Sequence, residues 1–190
     1  MKRLPKKFYS RDTHIVAKDL LGKLLVRTYR NHTYIARICE VECYAGENDG
    51  ASHARRGKTK RTEVMFGEAG YAYIYLIYGM YNCLNVVTDK KDFPAAVLIR
   101  GAIPIEGFNN KTPLKALLAK QALLLGPGKM CREMHITRTL NKENLATSTQ
   151  LYVADDGFIV SAKNIQTTPR INVDYAGEHA RLPWRYVVSI

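Results

Sequence analysis

The sequence predicts an α+β fold: a single mixed domain over residues 1–190, built around a curved, largely antiparallel β-sheet flanked by helices. Three observations predict it. The chain has 190 residues, the length of one hydrophobic core. Its 46% hydrophobic content excludes a wholly disordered chain, and 24% charged residues is ordinary for a folded one. Strand-like and helix-like stretches do not alternate regularly, which disfavours a parallel doubly wound sheet.

The elements follow in order. Asp12 or Thr13 can cap a short helix through Leu21, stopped by Gly22. Lys23–Tyr29 reads as a strand, Arg30–Asn31–His32 as a polar turn and Thr33–Tyr44 as a second strand, together a hairpin. Residues 45–62, rich in Gly, Asp, Arg and Lys, read as an exposed loop. Tyr71–Ile77 and Ala95–Arg100 look like further strands. Thr112–Pro113 pairs a capping residue with Pro at the first helical position, predicting a helix through Leu125. Gly126–Pro127–Gly128 stops it and opens another short helix near Lys129. Near the end come a turn at Asp155–Asp156–Gly157 and strand-like pieces Phe158–Ser161 and Arg185–Ser189.

The charge is not ordinary. Lys and Arg number 29 against 17 Asp and Glu, a formal +12. That bias predicts a polyanionic partner, nucleic acid or an anionic membrane surface. Residues 69–88 have spanning length without a charge, but they carry five tyrosines, two asparagines and two glycines. Their hydroxyls and amides would need partners in lipid, so no membrane span is expected. The basic start MKRLPKKF is followed by no apolar run, so a soluble, unexported protein is the expectation. Cys39, Cys43, Cys83 and Cys131 form no CxxC pair, which makes structural zinc unexpected and buried reduced thiols the plainer reading.

Chemistry concentrates on a few stretches. By two-residue alternation along Ala36–Tyr44, Cys39, Val41 and Cys43 share one face, and Glu40, Glu42 and Tyr44 the other. That second face is either a solvated surface or a carboxylate held in a cleft beside a tyrosine. His53 lies eleven residues after Glu42, just ahead of Arg55, Arg56, Lys58, Thr59, Lys60 and Arg61. Five positive charges in seven positions suit a loop tracking phosphates, or simply a solvated face. Tyr71, Tyr73 and Tyr75 fall at period two, and Tyr78 stands at the tight exit beside Gly79. Such tyrosines form either a stacking platform or wedge for bases, or an aromatic core layer. Asn82 and Asn85 add amides able to read a base edge. Arg100 ends an apolar run and, if buried, needs a carboxylate such as Glu40 or Glu42. Gly126-Pro127-Gly128-Lys129 is too short for a Walker A loop, though Lys129 could meet a backbone phosphate. Motifs for a nucleophilic triad, a metalloprotease helix or a dinucleotide cofactor are missing from the sequence.

Read together, EVECYAGENDGASHARRGKT, MFGEAGYAYIYLIYGMYNCLNVV, AVLIRGAIPIEG, GPGKMCREM and DYAGEHARLPWRYVV resemble the alkyladenine (3-methyladenine) DNA glycosylase family, from about Leu20 to the C-terminus. The resemblance implies a fold similar to the C-terminal domain of formyltransferases. It also implies excision of alkylated or deaminated purines from double-stranded DNA, with no metal and no cofactor. Residue by residue, it makes Glu42 the catalytic carboxylate and Arg100 the arginine that helps hold the attacking water. Tyr44, His53, Tyr75 and Asn85 fall on base-pocket positions, and Tyr78 on that of the residue inserted into the DNA stack. On a loose local match, a backbone carbonyl near the water belongs to Ile171. Two departures stand out: Asn82 replaces an aromatic, and the loop Lys90–Pro94 is longer.

The implied mechanism is physically coherent. A base inside a duplex must be flipped out to be reached. Tyr44, His53 and Tyr75 would sandwich it, the cation of an N-alkylated purine attracting aromatic faces. Glu42 would deprotonate a water and stabilise the cationic sugar, as carboxylates do in glycoside hydrolysis. With no lysine placed for a Schiff base, hydrolysis alone is expected. A monomer in the cytoplasm, on the nucleoid if bacterial, completes the picture. The competing classes are a non-catalytic basic module stacking single-stranded nucleic acid on tyrosines, and an RNA-modifying or ribosome-associated protein.

Overall fold

A computed structural model describes residues 1–108 and 124–188. Its strands gather on one sheet: β1 (Lys2–Arg3), β2 (Leu24–Tyr29), β3 (His32–Ala45), β4 (Ala72–Ile77), β5 (Tyr81–Val87), β6 (Ala95–Glu106), β7 (Leu124–Leu125), β8 (Leu151–Asp155), β9 (Ile165–Thr168) and β10 (Arg185–Val188). The main path runs β1-β8-β2-β3-β6-β5-β4, with β10 added to β3, β9 to β10 and β7 to β6. Every pairing among the described strands is antiparallel. Among the described residues the helices are α1 (Lys6–Tyr9), α2 (Thr13–Leu20) and α3 (Pro127–Glu133), with short 3-10 turns between strands. The α+β expectation is met. Among the described residues no helix is long and apolar enough to cross a membrane.

Strand β3 is the axis of the molecule. Its first half pairs with β2, its second half with β10, and nearly all of it with β6. The β3–β6 ladder slips on either side of Glu40, so the strand carries a bulge there. The slip changes the parity of the core face. Ala36 and Ile38 enter the main core before it, Val41 and Cys43 after it. Cys39 is therefore buried outside that core, not alongside Val41 and Cys43 as strict alternation predicts. All four cysteines are buried free thiols.

Most expected elements are found. Asp12 is the cap of α2, its carboxylate accepting from the amides of His14 and Ile15 at 2.9 and 3.0 Å. The hairpin turn places Arg30 and Asn31 at φ 49° and 62°, the left-handed pair that a two-residue turn between twisted strands requires. Other readings are corrected. Residues 45–62 are not uniformly exposed: Asp49, Ala51, Ser52, Ala54 and Thr62 are buried and anchor the loop. Phe158–Ser161 forms no strand; the edge strand is β9, and Phe158 lies beneath the guanidinium of Arg37, 4.4 Å from its ring centre. The helix expected from Thr112–Pro113 falls largely outside the described residues, but its end, Leu124–Leu125, is extended and paired with Gly101–Ala102. Strands β5 and β8 carry no signal strong enough to have been expected.

Candidate functional site

The bulge and the long β3–β6 ladder deliver Glu42 to the floor of a cleft of about 740 Å³. Its side chain is fully buried. Three donors hold it: the Tyr44 hydroxyl at 2.8 Å and Arg100 Nη1 at 3.4 Å on Oε2, and the Ile171 amide at 2.8 Å on Oε1. Burial pushes the carboxyl above the usual range, and it outweighs the opposing pull of Arg100, the Ile171 amide and Tyr44. The Tyr44 hydroxyl is pushed up too, first by burial and then by Glu42, so it stays a donor. Glu42 does not itself line the cleft. Tyr44, Arg100 and Ile171 do, and they form the floor over it. Beside it, Glu40 Oε1 accepts from Arg185 Nε at 2.7 Å and from Arg100 Nε at 3.0 Å.

The wall above is aromatic. Strand β4 presents Tyr73 and Tyr75, and His53 meets the Tyr75 ring edge-on, centroids 4.5 Å apart. Arg61 Nη2 lies 3.4 Å from His53 Nε2, and a guanidinium can only donate. Nε2 is then the acceptor, and Nδ1–H donates to the Tyr73 hydroxyl at 3.0 Å. Burial, then Arg61 and Arg55, lower this histidine to about 4, so it is neutral at pH 7. Asn85, buried on β5, donates its amide nitrogen to the carbonyls of Tyr73 and Cys83 at 3.1 and 3.4 Å.

The rim is built differently. The β4–β5 hairpin turns through Tyr78 and Gly79 at φ 53° and 70°, closed by the Met80 amide on the Ile77 carbonyl at 3.2 Å. Tyr78 is 73% exposed, which excludes a core role. Across the mouth, α3 begins close against Tyr81: a Cβ on Gly128 would sit 2.8 Å from that of Tyr81, so only glycine fits.

Residues 7–189 match the family model described as methylpurine-DNA glycosylase (MPG). Three curated relatives carry the name "Putative 3-methyladenine DNA glycosylase". The one from Methanocella arvoryzae is 52% identical over 96% of this chain and 90% of its own length. Those from Alkaliphilus oremlandii and Legionella pneumophila are 44% and 45% identical, over 98% and 100% of this chain and 96% of theirs. The chain belongs to the methylpurine-DNA glycosylase family.

In this member of the family, residues far apart in sequence converge: Tyr44, His53, Tyr75, Asn85, Arg100 and Ile171 line one cleft with Glu42 beneath, and Tyr78 stands at its mouth. Ile171 also meets Glu42 directly, through its amide N–H, a contact the sequence did not suggest. The five cations of the basic loop are all exposed. They differ in what they touch: Arg55 donates to the Gly50 carbonyl and lies over the Tyr175 ring, and Arg61 lies over Tyr75. Thr59 spends its hydroxyl on Thr62, closing a turn. Lys129 lines the cleft as well.

Sequence reading missed Arg170. Its guanidinium, buried, grips both oxygens of buried Asp49 at 2.6 and 2.8 Å and the Cys43 carbonyl at 2.9 Å. It lies over the rings of Tyr44 and Trp184, 4.8 and 4.9 Å from their centres. The only signal was its place directly before Ile171; a pair 121 residues apart leaves no local pattern.

Proposed function

We propose that this chain is a monofunctional DNA glycosylase that opens base excision repair, flipping an alkylated or deaminated purine from duplex DNA and hydrolysing its N-glycosidic bond. The observation that carries the reading is Glu42: a buried carboxylate of raised proton affinity under an aromatic cleft whose mouth holds an exposed tyrosine. A flipped purine stacks among Tyr44, His53 and Tyr75, and Tyr78 fills the gap it leaves. Neutral His53 and the Asn85 amide suit a purine edge without adding positive charge against a cationic alkylated base. Hydrogen bonds from Tyr44, Arg100 and Ile171 orient the Glu42 carboxylate for the attacking water. Glu42 takes the water's proton as the sugar–base bond breaks, and its charge steadies the cationic sugar.

In this reading the whole chain acts as one domain and as a monomer, with a sheet like that of the formyltransferase C-terminal domain. Relatives bearing a 3-methyladenine DNA glycosylase name support the substrate class. The test is a duplex carrying one hypoxanthine or N-methylated purine, treated with the protein and then with alkali. Strand cleavage only after alkali is the expected result. Cleavage without alkali, or trapping of the protein on DNA by borohydride, would transfer the chemistry to an amine, with Lys129 first to examine. No abasic site on any such duplex would leave a non-catalytic binding module.

A further inference from the structure

Glu40 has no task in the reaction above, yet the fold goes to some length to place it. It sits two residues before Glu42 at the β3 bulge, buried, with one oxygen accepting from both Arg185 and Arg100. The facing residue on β6 is Gly101, where a Cβ would lie 3.2 Å from Glu40 Cβ, from its Oε2 and from Leu125. The sheet thus omits a side chain where the carboxylate needs room. Strand β10 brings Arg185 into register opposite Glu42. Arg100 is the shared group: Nε is 3.0 Å from Glu40, whereas its approaches to Glu42 are both 3.4 Å.

We propose that Glu40 is a positioning residue for Arg100: it draws the guanidinium off Glu42, so that Glu42 keeps the proton affinity a general base needs. Its purpose rests on the glycosylase reading; its geometry does not. An arginine bonded fully to Glu42 would favour the carboxylate and weaken it as a base. Each packed element contributes a group that faces Glu42. They are Tyr44 and Glu40 on β3, Arg100 on β6, Cys83 on β5, Arg185 on β10, and the Ile171 amide with Arg170 beside it. Among the described residues, Glu40 is the acid that also binds Arg100.

The direct test titrates Glu42 by difference infrared spectroscopy, subtracting the matching Glu42→Gln protein, in the parent chain and in Glu40→Gln. The Glu42 transition should move down by on the order of one pH unit in Glu40→Gln, as Arg100 closes on the remaining carboxylate. Arg185→Met should move it up, because Arg100 then turns wholly to Glu40. The acid limb of single-turnover base release should follow each shift. An unmoved Glu42 transition in a cooperatively melting Glu40→Gln protein, or shifts of the same sign in both variants, would overturn the proposal. If Glu40→Gln does not fold, Arg185→Met decides: an upward shift supports it and none overturns it. Opposite infrared shifts in a protein that releases no base would uphold the charge sharing and reject the glycosylase reading.

Discussion

The floor and the rim of the cleft are built by opposite means. At the floor Glu42 is fully buried and held by a hydroxyl, a guanidinium and an amide from three segments of chain. At the rim Tyr78 stands exposed on a hairpin tip, with the Met80 amide on the Ile77 carbonyl and left-handed backbone at Tyr78 and Gly79. The difference fits what the proposed reaction asks of each end. A group that moves a proton needs fixed geometry and low dielectric, so its surroundings over-determine it. A group that enters another molecule must keep its surface free, and packing around it would forfeit that. Loss at the floor should therefore appear in chemistry, and loss at the rim in how the substrate is captured.

The largest effect should come from the floor. Glu42→Gln keeps the shape and removes the base, so single-turnover base release should fall by roughly 10²–10⁴-fold while damaged-duplex binding survives. A near-normal rate would move the chemistry elsewhere on β3. Next comes the rim. Tyr78→Ala should depress excision from a normally paired lesion far more than from a bulged one, because unstacking a paired base costs a few kcal/mol that the ring offsets. Its exposure means thermal stability should change by no more than about 0.5 kcal/mol. Equal losses on both substrates, or a large drop in Tm, would erase the contrast between floor and rim.

The basic loop sharpens the comparison further. Replacing Arg56, Lys58 and Lys60 together should weaken binding to damaged and undamaged duplex alike. It should also reduce the salt slope by up to about 0.9 for each phosphate that is no longer neutralised. Arg55 and Arg61 are folded against Tyr175 and Tyr75, so their replacement should disturb the pocket as well. An unchanged salt slope in the triple variant would put the DNA face on another side. The smallest effect is on stability against pH. His53 falls from 6.5 to about 4 on folding, so its contribution is present above pH 6.5 and is lost as pH falls from there toward 4. Glu42, raised, contributes with the opposite sign, so the measurement is a difference. Urea midpoints at pH 7.5 and 5 should drop less in His53→Gln than in the parent chain.

Much of this protein is written locally. The cap at Asp12, the turn at Arg30–Asn31, the run of β-formers before Ala45 and the Gly-Pro-Gly that opens α3 each follow from the preferences of a few adjacent residues. So does the company of Glu42 and Tyr44, two apart on one strand face, and the exposed tyrosine beside Gly79. What the tertiary structure alone decided is everything that depends on partners distant in sequence. The slip of β3 against β6 moved Cys39 out of the main core, a change of register that two-residue counting along one strand cannot contain. Asp49 and Arg170, 121 residues apart, became one buried pair; alone, each would read as an ordinary surface charge. Arg55 and Arg61, exposed like the rest of the basic run, also lie over the rings of Tyr175 and Tyr75, contacts that no local pattern announces. Burial of Glu42, and with it its raised proton affinity, exists only once β6, β10 and the Ile171 segment have closed over it. A sequence specifies which charges a chain carries, but desolvation and pairing are properties of the assembled neighbourhood, and they decide what those charges do.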